Sequence, residues 1–218
     1  MRLTKQMADY LAAIYRLNVR DGRASTGEVA RIVGVSAASA TYMFKRLAAL
    51  GLVEYEEYAG VALTPSGLKA ALRLVRNHRL TERFLTDMLE IPWDRVDRLA
   101  HEMEHHVPDE VVDRFDAVLG YPETCPHGHP IPRKDGTVIE RPARPLGSLD
   151  VEEEAEILQI DEDDPRILRY LGSCHLVPGR RVRVVAKNPL DQTMVVEVDG
   201  HRSIVGERIS DCIGVARE

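Results

Sequence analysis

The order of helix signals at the start of the chain constrains its fold most. Apolar residues at helical spacing predict a helix over residues 4–19, which ends before Asp21-Gly22. The segment Ser25-Thr26-Gly27-Glu28 has the form of a capping box, in which the Ser and Glu side chains satisfy free N–H groups at a helix start. It predicts a short helix over residues 26–33 that stops at Gly34, a residue that readily ends helices.

A second helix and a hairpin follow at once. Ser36 is a further N-cap candidate and predicts a helix through Leu50. Residues 52–55 and 61–64, joined by a turn at residues 58–60, pair as a small hairpin, and a long helix runs from Pro65 to about Leu89. This order is typical of a winged helix-turn-helix, which we expect over residues 1–65. A small helical domain without a DNA role is the alternative.

The distribution of charge favours a nucleic-acid partner although the net charge is −6. Residues 1–80 hold 12 Lys and Arg against 6 Asp and Glu, a balance of +6. Residues 81–218 hold 17 against 29, a balance of −12. A basic part joined to an acidic remainder is expected when one domain contacts phosphate. Chance fluctuation is the competing interpretation.

The rest of the chain divides into three further segments. Residues 66–140 are expected to form a helical domain, which is mainly helical over residues 66–119 and has apolar stripes typical of a core or a dimer interface. Residues 121–149 carry six prolines and little periodicity, and residues 141–150 are interpreted as a linker. Strand-like patterns over residues 151–218, with one short helix at 165–171, predict a small β-barrel. The predicted fold class is therefore mainly α with small β parts.

Cysteine usage and hydropathy indicate the compartment. The chain has three widely spaced cysteines, which favours a reducing environment over a disulfide framework. No apolar run approaches the roughly 20 residues that span a bilayer, and the N-terminus lacks the apolar core of a signal peptide. We therefore expect a cytoplasmic protein with no membrane partner.

Imidazoles and carboxylates at helical spacing form a candidate metal centre. On a helix, residues three and four apart share a face, so such side chains can converge on a cation. They are Asp9 in the first helix, His78 and Glu82 one turn apart on the long helix, and Asp97, His101, Glu104 and His105 on the next helix. A solvated charged face is the alternative, but such crowding beside an apolar stripe would leave charge uncompensated.

Other chemistries compete for the same residues. The segment Cys125-Pro126-His127-Gly128-His129 could hold structural zinc, but it has no second ligand cluster and lies among prolines, so we disfavour that site. A metallohydrolase could use the His/Glu cluster with a bound water, although the winged-helix order argues against it. A metal-binding or transport-accessory module without DNA binding would leave the basic N-terminal part unexplained.

With these residues in view, the chain resembles the diphtheria-toxin-repressor family of iron- and manganese-dependent regulators. The resemblance covers essentially the whole chain, and its C-terminal part is similar to the family's SH3-like domain, which is related to the FeoA module. The supporting residues are Tyr10-Leu11, Ile14-Tyr15, Gly51-Leu52-Val53, Leu63-Thr64-Pro65-Ser66-Gly67, Arg76-Asn77-His78-Arg79-Leu80, Glu82, Glu104-His105 and residues 126–132.

The resemblance implies a homodimeric, metal-dependent repressor of metal homeostasis, not an enzyme, that binds a palindromic double-stranded operator. It implies a helical metal-binding and dimerisation domain and two metal sites per subunit. The primary site would use Asp9, His101, Glu104 and His105, and the ancillary site His78, Glu82 and Asp97, with a possible oxygen from Asp163.

The metal is expected to be Mn²⁺, with Fe²⁺ next and an iron-dependent repressor of iron uptake as the alternative. Iron-responsive relatives place a thioether at the position of Asp9 and a thiol at that of His101, so both ligands are harder here. Manganese-responsive relatives have Asp at the first position but a bridging Glu where this chain has His101. Because imidazole cannot bridge two metals as a carboxylate can, two separate sites are expected.

The predicted recognition helix carries the expected DNA contacts. By resemblance Ser36, Ala38 and Tyr42 match base-contacting positions, and small apolar groups can meet thymine methyls. Ala37 and Thr41 lie in the same groove-facing part. Lys45 and Arg46 are expected to contact phosphate, as are Tyr58 and Gly60 in the wing.

Overall fold

The computed structural model describes residues 3–217, without the side chains of residues 19–21. The chain forms two compact units, Met1–Asn77 with Pro132–Thr137, and His78–Ile131 with Val138–Glu218. The first unit contains α1 (Lys5–Asp21), α2 (Thr26–Val33), α3 (Ala37–Ala49), β1 (Val53–Glu56), β2 (Gly60–Leu63) and the first part of α4 (Pro65–Asp87).

The second unit contains the rest of α4, two further helices and a sheet domain. Its elements are α5 (Trp93–Met103), α6 (Asp109–Val118), β3 (Ala143–Pro145), β4 (Glu154–Ile160), α7 (Pro165–Ser173), β5 (Arg181–Asn188), β6 (Thr193–Val198), β7 (His201–Val205), α8 (Glu207–Asp211) and β8 (Ile213–Ala216). In the described part of the chain, no helix combines the length and apolar character needed to cross a bilayer.

Side-chain caps set the helix boundaries of the first unit. The predicted capping box is present, with the Glu28 amide donating to Ser25 Oγ at 3.2 Å and the Ser25 amide donating to Glu28 Oε2 at 3.3 Å. Gly34 ends α2 in the left-handed conformation, and Ser36 caps α3 by accepting from the Ser39 amide. Helix, turn, helix and two-stranded wing therefore follow in the predicted order.

An aromatic core joins α1 to the recognition helix α3. Tyr10 and Phe44 are fully buried and meet edge to face, with ring centroids 6.1 Å apart. Phe44 in turn lies 5.3 Å from the ring of Tyr55 in β1. Such aromatic contacts fix the mutual orientation of the elements that carry them, so α1, α3 and the wing share one core.

The base of the wing is fixed to the start of α4. Thr64 accepts a hydrogen bond from the Gly67 amide at 3.0 Å and donates its hydroxyl to the Gly51 carbonyl at 2.7 Å. Gly67 lies so close to the preceding loop that a Cβ on it would come within 1.8 Å of the Leu52 carbonyl oxygen. Glycine is required there by close backbone approach.

Two small apolar clusters hold the helices of the second unit. Leu85, Val96 and Ala100 pack α4 against α5. Leu80 and Val112 pack α4 against α6, and Cys125 and Ile131 from the following loop complete this cluster. The proline-rich loop after α6 is therefore anchored to α4.

The C-terminal domain is a six-stranded antiparallel sheet in the order β3-β8-β4-β5-β6-β7 around its own apolar core. The predicted strands and the short helix are present, and the structure adds β7 and β3. Strand β3 lies in the segment 141–150 that was interpreted as a linker, and Leu146 and Leu149 in that segment are fully buried. This segment is therefore part of the sheet domain, because its apolar residues outweigh the effect of its prolines.

We predict opposite effects for two helical glycines of the first unit. Gly67→Ala should lower the free energy of unfolding by about 3 kcal/mol, because the new Cβ overlaps the Leu52 carbonyl. A Cβ at Gly27 in α2 would have no atom within 4 Å, so Gly27→Ala should raise the free energy of unfolding by about 0.5 kcal/mol. Urea denaturation of both variants measures the difference. Equal effects would contradict the close approach at Gly67.

Candidate metal centre and nucleic-acid interface

Three side chains at the end of α5 form one cluster, here called the α5 cluster: His101, Glu104 and His105. His101 Nδ1 lies 3.0 Å and His105 Nε2 3.4 Å from the same carboxylate oxygen, Glu104 Oε1. The helix ends at Met103, so His105 lies in the following turn and does not share a helix face with His101 as predicted. The turn precedes Pro108, which disfavours continued helix. The donor atoms nevertheless lie within 4.8 Å of one another.

His78 on α4 lies among three carboxylates of the same unit. Its Nδ1 is 2.8 Å from Glu104 Oε2, and its Nε2 is 3.3 Å from Asp97 Oδ1 and 3.6 Å from Glu82 Oε1. Burial alone would lower the pKa of His78, but the charge of Glu82 and hydrogen bonds to Asp97 and Glu104 raise it well above its ordinary value. The predicted ancillary ligands His78, Glu82 and Asp97 therefore come together and contact the α5 cluster through Glu104.

A second cluster, here called the buried triad, consists of Glu82, Cys125 and His127. All three residues are buried, and one ligand atom of each lies within 4.8 Å of the others. His127 Nδ1 lies 3.2 Å from Glu82 Oε1, while its Nε2 lies 3.0 Å from the backbone carbonyl of Trp93. Because a carbonyl can only accept, Nε2 carries a proton, and Nδ1 is the ring nitrogen that faces the triad.

The charges of the triad balance one another. Burial would raise the pKa of Glu82, but His78 and His127 lower it overall. Burial would lower the pKa of His127, whereas hydrogen bonds to Cys125 and Glu82 raise it overall. Burial raises the pKa of the Cys125 thiol. Carboxylate, imidazole and thiol at this spacing are a donor set that fits a divalent transition metal.

Sequence reasoning disfavoured a metal at Cys125 and His127 because it found no further ligand near them. The third side chain of this group is Glu82, which lies far back along the chain on α4 and was assigned to the ancillary set. Packing of the loop against Leu80 brings the two parts together. The one sequence feature that could have indicated this contact is that both the loop and α4 contain apolar residues. That feature is too general to show that Glu82 lies beside Cys125 and His127.

One predicted ligand, Asp163, lies apart from the clusters of the second unit. Asp163 is exposed, its amide donates to Glu162 Oε1, and it belongs to none of the metal-competent groups among the described residues. A different acidic residue of the sheet domain, Asp161, has its Oδ1 3.6 Å from His129 Nε2. Asp9 lies on α1 in the first unit, half-buried between the buried Ala8 and Tyr10.

The recognition helix α3 presents one polar face. Ala40, Met43, Phe44 and Leu47 are buried, whereas the predicted contact residues Ser36, Ala37, Ala38, Tyr42, Lys45 and Arg46 are exposed and Thr41 is partly exposed. The guanidinium of Arg46 lies over the Tyr42 ring, 5.9 Å from its centroid. An exposed helix face with two cations and an aromatic ring is suited to a DNA groove.

The two wing residues differ in exposure. Tyr58 is fully exposed at the tip of the hairpin, with a positive φ of 68°. Gly60 is buried, and a Cβ on it would lie 2.4 Å from the Ala24 carbonyl oxygen. The structure therefore gives Gly60 a packing reason to be glycine and does not expose it for a phosphate contact.

Comparison with known families accounts for this combination of a winged helix and clustered ligands. The model of the iron dependent repressor N-terminal DNA binding domain matches residues 2–61, and that of the iron dependent repressor metal binding and dimerisation domain matches residues 64–133. The FeoA domain model matches residues 144–217. The chain belongs to the diphtheria-toxin-repressor family.

The similar proteins include iron-dependent and manganese-dependent repressors. The iron-dependent repressor IdeR of Mycobacterium leprae is 26% identical over 207 residues, which cover 89% of each chain. The HTH-type transcriptional regulator MntR of Lysinibacillus sphaericus is 35% identical over 112 residues, 51% of this chain and 80% of the relative. A solved manganese-dependent transcriptional repressor in complex with manganese is 36% identical, with a TM-score of 0.90 over 97% of this chain and 100% of that one.

Membership of the diphtheria-toxin-repressor family decides between the functions that the sequence analysis left open. The family consists of metal-dependent transcriptional repressors and not of enzymes, so the metallohydrolase interpretation is excluded. The accessory-module interpretation fails too, because the N-terminal model is a DNA-binding domain. The chain is thus a divalent-metal-dependent transcriptional repressor of this family.

We predict that Cys125 is a metal ligand. Titration of the metal-free protein with Co²⁺ should produce a thiolate-to-cobalt charge-transfer absorption, because the triad places a sulfur beside Glu82 and His127. Cys125→Ser should lose this absorption, and Cys212→Ser, which alters a cysteine of the sheet domain, should retain it. An absorption that survives Cys125→Ser would remove the thiol from the metal site.

Proposed function

We propose that this protein is a Mn²⁺-responsive repressor, with Fe²⁺ as the next candidate, that controls genes of metal homeostasis. It acts in the cytoplasm as a homodimer on a palindromic operator. The observation that carries the proposal is the α5 cluster, where two imidazoles and a carboxylate converge in a chain that begins with a winged helix. Nitrogen and oxygen donors of this kind suit Mn²⁺ and Fe²⁺.

In the primary site, Asp9 supplies the fourth ligand beside His101, Glu104 and His105. The α5 cluster holds a single carboxylate, so a second one would better balance a divalent cation. Asp9 is suited to this role because its half-buried position on α1 leaves it incompletely hydrated. A hard carboxylate at this position favours Mn²⁺ over softer ions.

A second metal is proposed at Glu82. Two sets of ligands share this carboxylate, the ancillary set with His78 and Asp97 and the buried triad with Cys125 and His127. The triad is favoured because Glu82 and His127 have side-chain exposures of 4% and 6%, whereas the Asp97 side chain is 38% exposed. A thiolate in the second site and carboxylates in the first would give the two sites different preferences for metals.

Metal binding changes the DNA-binding state through electrostatics. Asp97 and Glu104, which both contact His78, would repel each other less with a divalent cation beside them. Asp9 would tie α1 to the ligands of the second unit, and the metal-bound state would fix the recognition helices of the dimer. Metal acts as an allosteric ligand because it has a higher affinity for the DNA-competent state.

The DNA interface follows from exposure on α3. Ser36, Ala38 and Tyr42 meet base edges, with Ala37 and Thr41 beside them, while Lys45 and Arg46 contact phosphates. Tyr58 reaches the backbone from the wing. In a symmetric dimer the two α3 helices enter successive major grooves, about 34 Å apart, so the operator should be an inverted repeat.

The second unit has exposed apolar residues that are available to the other subunit of the dimer. They are Met88, Val111 and Val118.

A selection experiment supplies the operator and tests the function. Random double-stranded DNA is selected with the Mn²⁺-loaded protein, and the recovered duplex is used in fluorescence anisotropy with Mn²⁺ and with a chelator. The proposal predicts an inverted repeat that is bound tightly with Mn²⁺ only. Equal binding in the chelator, or recovery of no common sequence, would contradict it.

We predict that Asp9→Ala keeps the fold but loses most of the activation of DNA binding by Mn²⁺. The reason is that the substitution removes the one proposed ligand that lies in the DNA-binding unit. Asp9→Met should shift activation towards Fe²⁺ or Co²⁺, because a thioether is a softer ligand. The measurement is anisotropy on the selected duplex, paired with isothermal titration of each metal.

The control is Glu102→Ala, which removes an exposed carboxylate of α5 that pairs with Arg98 at 2.7 Å. It should leave Mn²⁺ affinity and activation unchanged. Unchanged activation in Asp9→Ala as well would exclude Asp9 from the site.

A further inference from the structure

The C-terminal part of α1 holds the outer edge of the wing strand β2 through one side chain. Asn18 Nδ2 donates to the Val61 carbonyl at 3.2 Å, and the Leu63 amide donates to Asn18 Oδ1 at 3.1 Å. An amide side chain offers one donor and one acceptor, as a peptide group does. Asn18 therefore pairs with two backbone groups of β2 in the manner of a neighbouring strand.

The chain that follows α1 extends the same connection. The Ala24 amide donates to the Val61 carbonyl and the Val61 amide donates to the Ala24 carbonyl, both at 2.9 Å. Arg23 donates to the Gly60 carbonyl at 3.3 Å, and Gly60 has no room for a Cβ because the Ala24 oxygen lies so close. We call these contacts, from Asn18, Arg23 and Ala24 to β2, the α1–wing joint.

The other end of the same helix carries Asp9. Asp9 and Asn18 are about nine residues apart on α1, which corresponds to roughly 14 Å along the helix axis. Between them Leu11, Ile14 and Leu17 are buried, so the helix packs along much of its length and moves as one piece. A displacement at Asp9 is thereby carried to the joint.

We propose that Asn18 is a positioning residue that makes the wing follow α1, so that metal engagement at Asp9 sets the wing as well as the recognition helix. This inference rests on the proposed function. It assigns the wing a metal-dependent position, and thus makes the contact of Tyr58 with DNA depend on metal. Without Asn18, β2 keeps the Ala24 bridge but loses its two direct hydrogen bonds to the helix.

The test compares the wild type with Asn18→Ala. The readout is the ratio of affinities for the selected duplex with and without Mn²⁺, which measures the coupling between the two sites. Loss of two hydrogen bonds that couple α1 to the wing should reduce this ratio about tenfold. The affinity for Mn²⁺ in the absence of DNA should stay within about twofold, because the proposed ligands are intact.

A second readout does not depend on DNA binding. Hydrogen exchange of the Leu63 amide should be faster in Asn18→Ala than in the wild type, since its acceptor is removed. Mn²⁺ should slow exchange in β2 of the wild type and have little effect there in the variant. Asn18→Asp, which keeps the acceptor for Leu63 but loses the donor to Val61, supplies a conservative variant with an intermediate ratio.

The control is Ser25→Ala, which removes the α2 cap and should cost about as much stability while leaving every hydrogen bond of the α1–wing joint in place, because the Ser25 hydroxyl bonds only to Glu28. It should leave the ratio unchanged. If Asn18→Ala and Asn18→Asp keep the wild-type ratio, or lower it only as much as Ser25→Ala, the inference is wrong while the proposed function stands. If the wild type itself shows no metal-dependent binding, the proposed function is wrong and the inference falls with it.

Discussion

The candidate metal centre depends on three carboxylates that crowd around one imidazole. Glu82, Asp97 and Glu104 all lie within 3.6 Å of His78, and Glu82 is only 3% exposed. Charges removed from water are stabilised only by opposite charge or by hydrogen bonds, and here the three carboxylates raise the pKa of His78 against the effect of its burial. Carboxylate and imidazole donors grouped in this way could hold a divalent cation, and the proposed switch rests on that grouping.

The C-terminal sheet supports the same site from within the second unit. The Ile160 amide donates to the His127 carbonyl at 2.9 Å, and Arg169 pairs with the buried Asp94 at the start of α5 at 2.9 Å. Gly128 lies so close to the Leu158 carbonyl that a Cβ would come within 1.9 Å. The sheet thus positions the loop that carries His127 and the start of α5, the helix that carries Asp97 and His101. Supporting contacts of this kind orient metal ligands and tune their affinity.

The sequence predicted most of the helical part because its signals are local. Ser25 and Ser36 mark helix starts through hydrogen bonds to residues three positions on, and the structure confirms both. The strands β3 and β7 were not predicted from the sequence. Strand β3 is only three residues long and ends in proline, and β7 is an edge strand with little alternation of apolar and polar residues. The pairing of Glu82 with Cys125 and His127 could not be predicted, because it depends on packing between parts that are distant in sequence. The end of α5 before His105 was not predicted, because the helical spacing of the ligand residues gives no information on the turn that precedes Pro108.

The central claim is that metal and DNA bind to one linked system, and the most direct measurement is of reciprocity. Isothermal titration gives the affinity for Mn²⁺ with and without the saturating selected duplex, and anisotropy gives the affinity for the duplex with and without Mn²⁺. Linkage requires the two enhancement factors to be equal, and the account predicts a common value of at least about tenfold. A Mn²⁺ affinity that is the same with and without DNA would contradict the account.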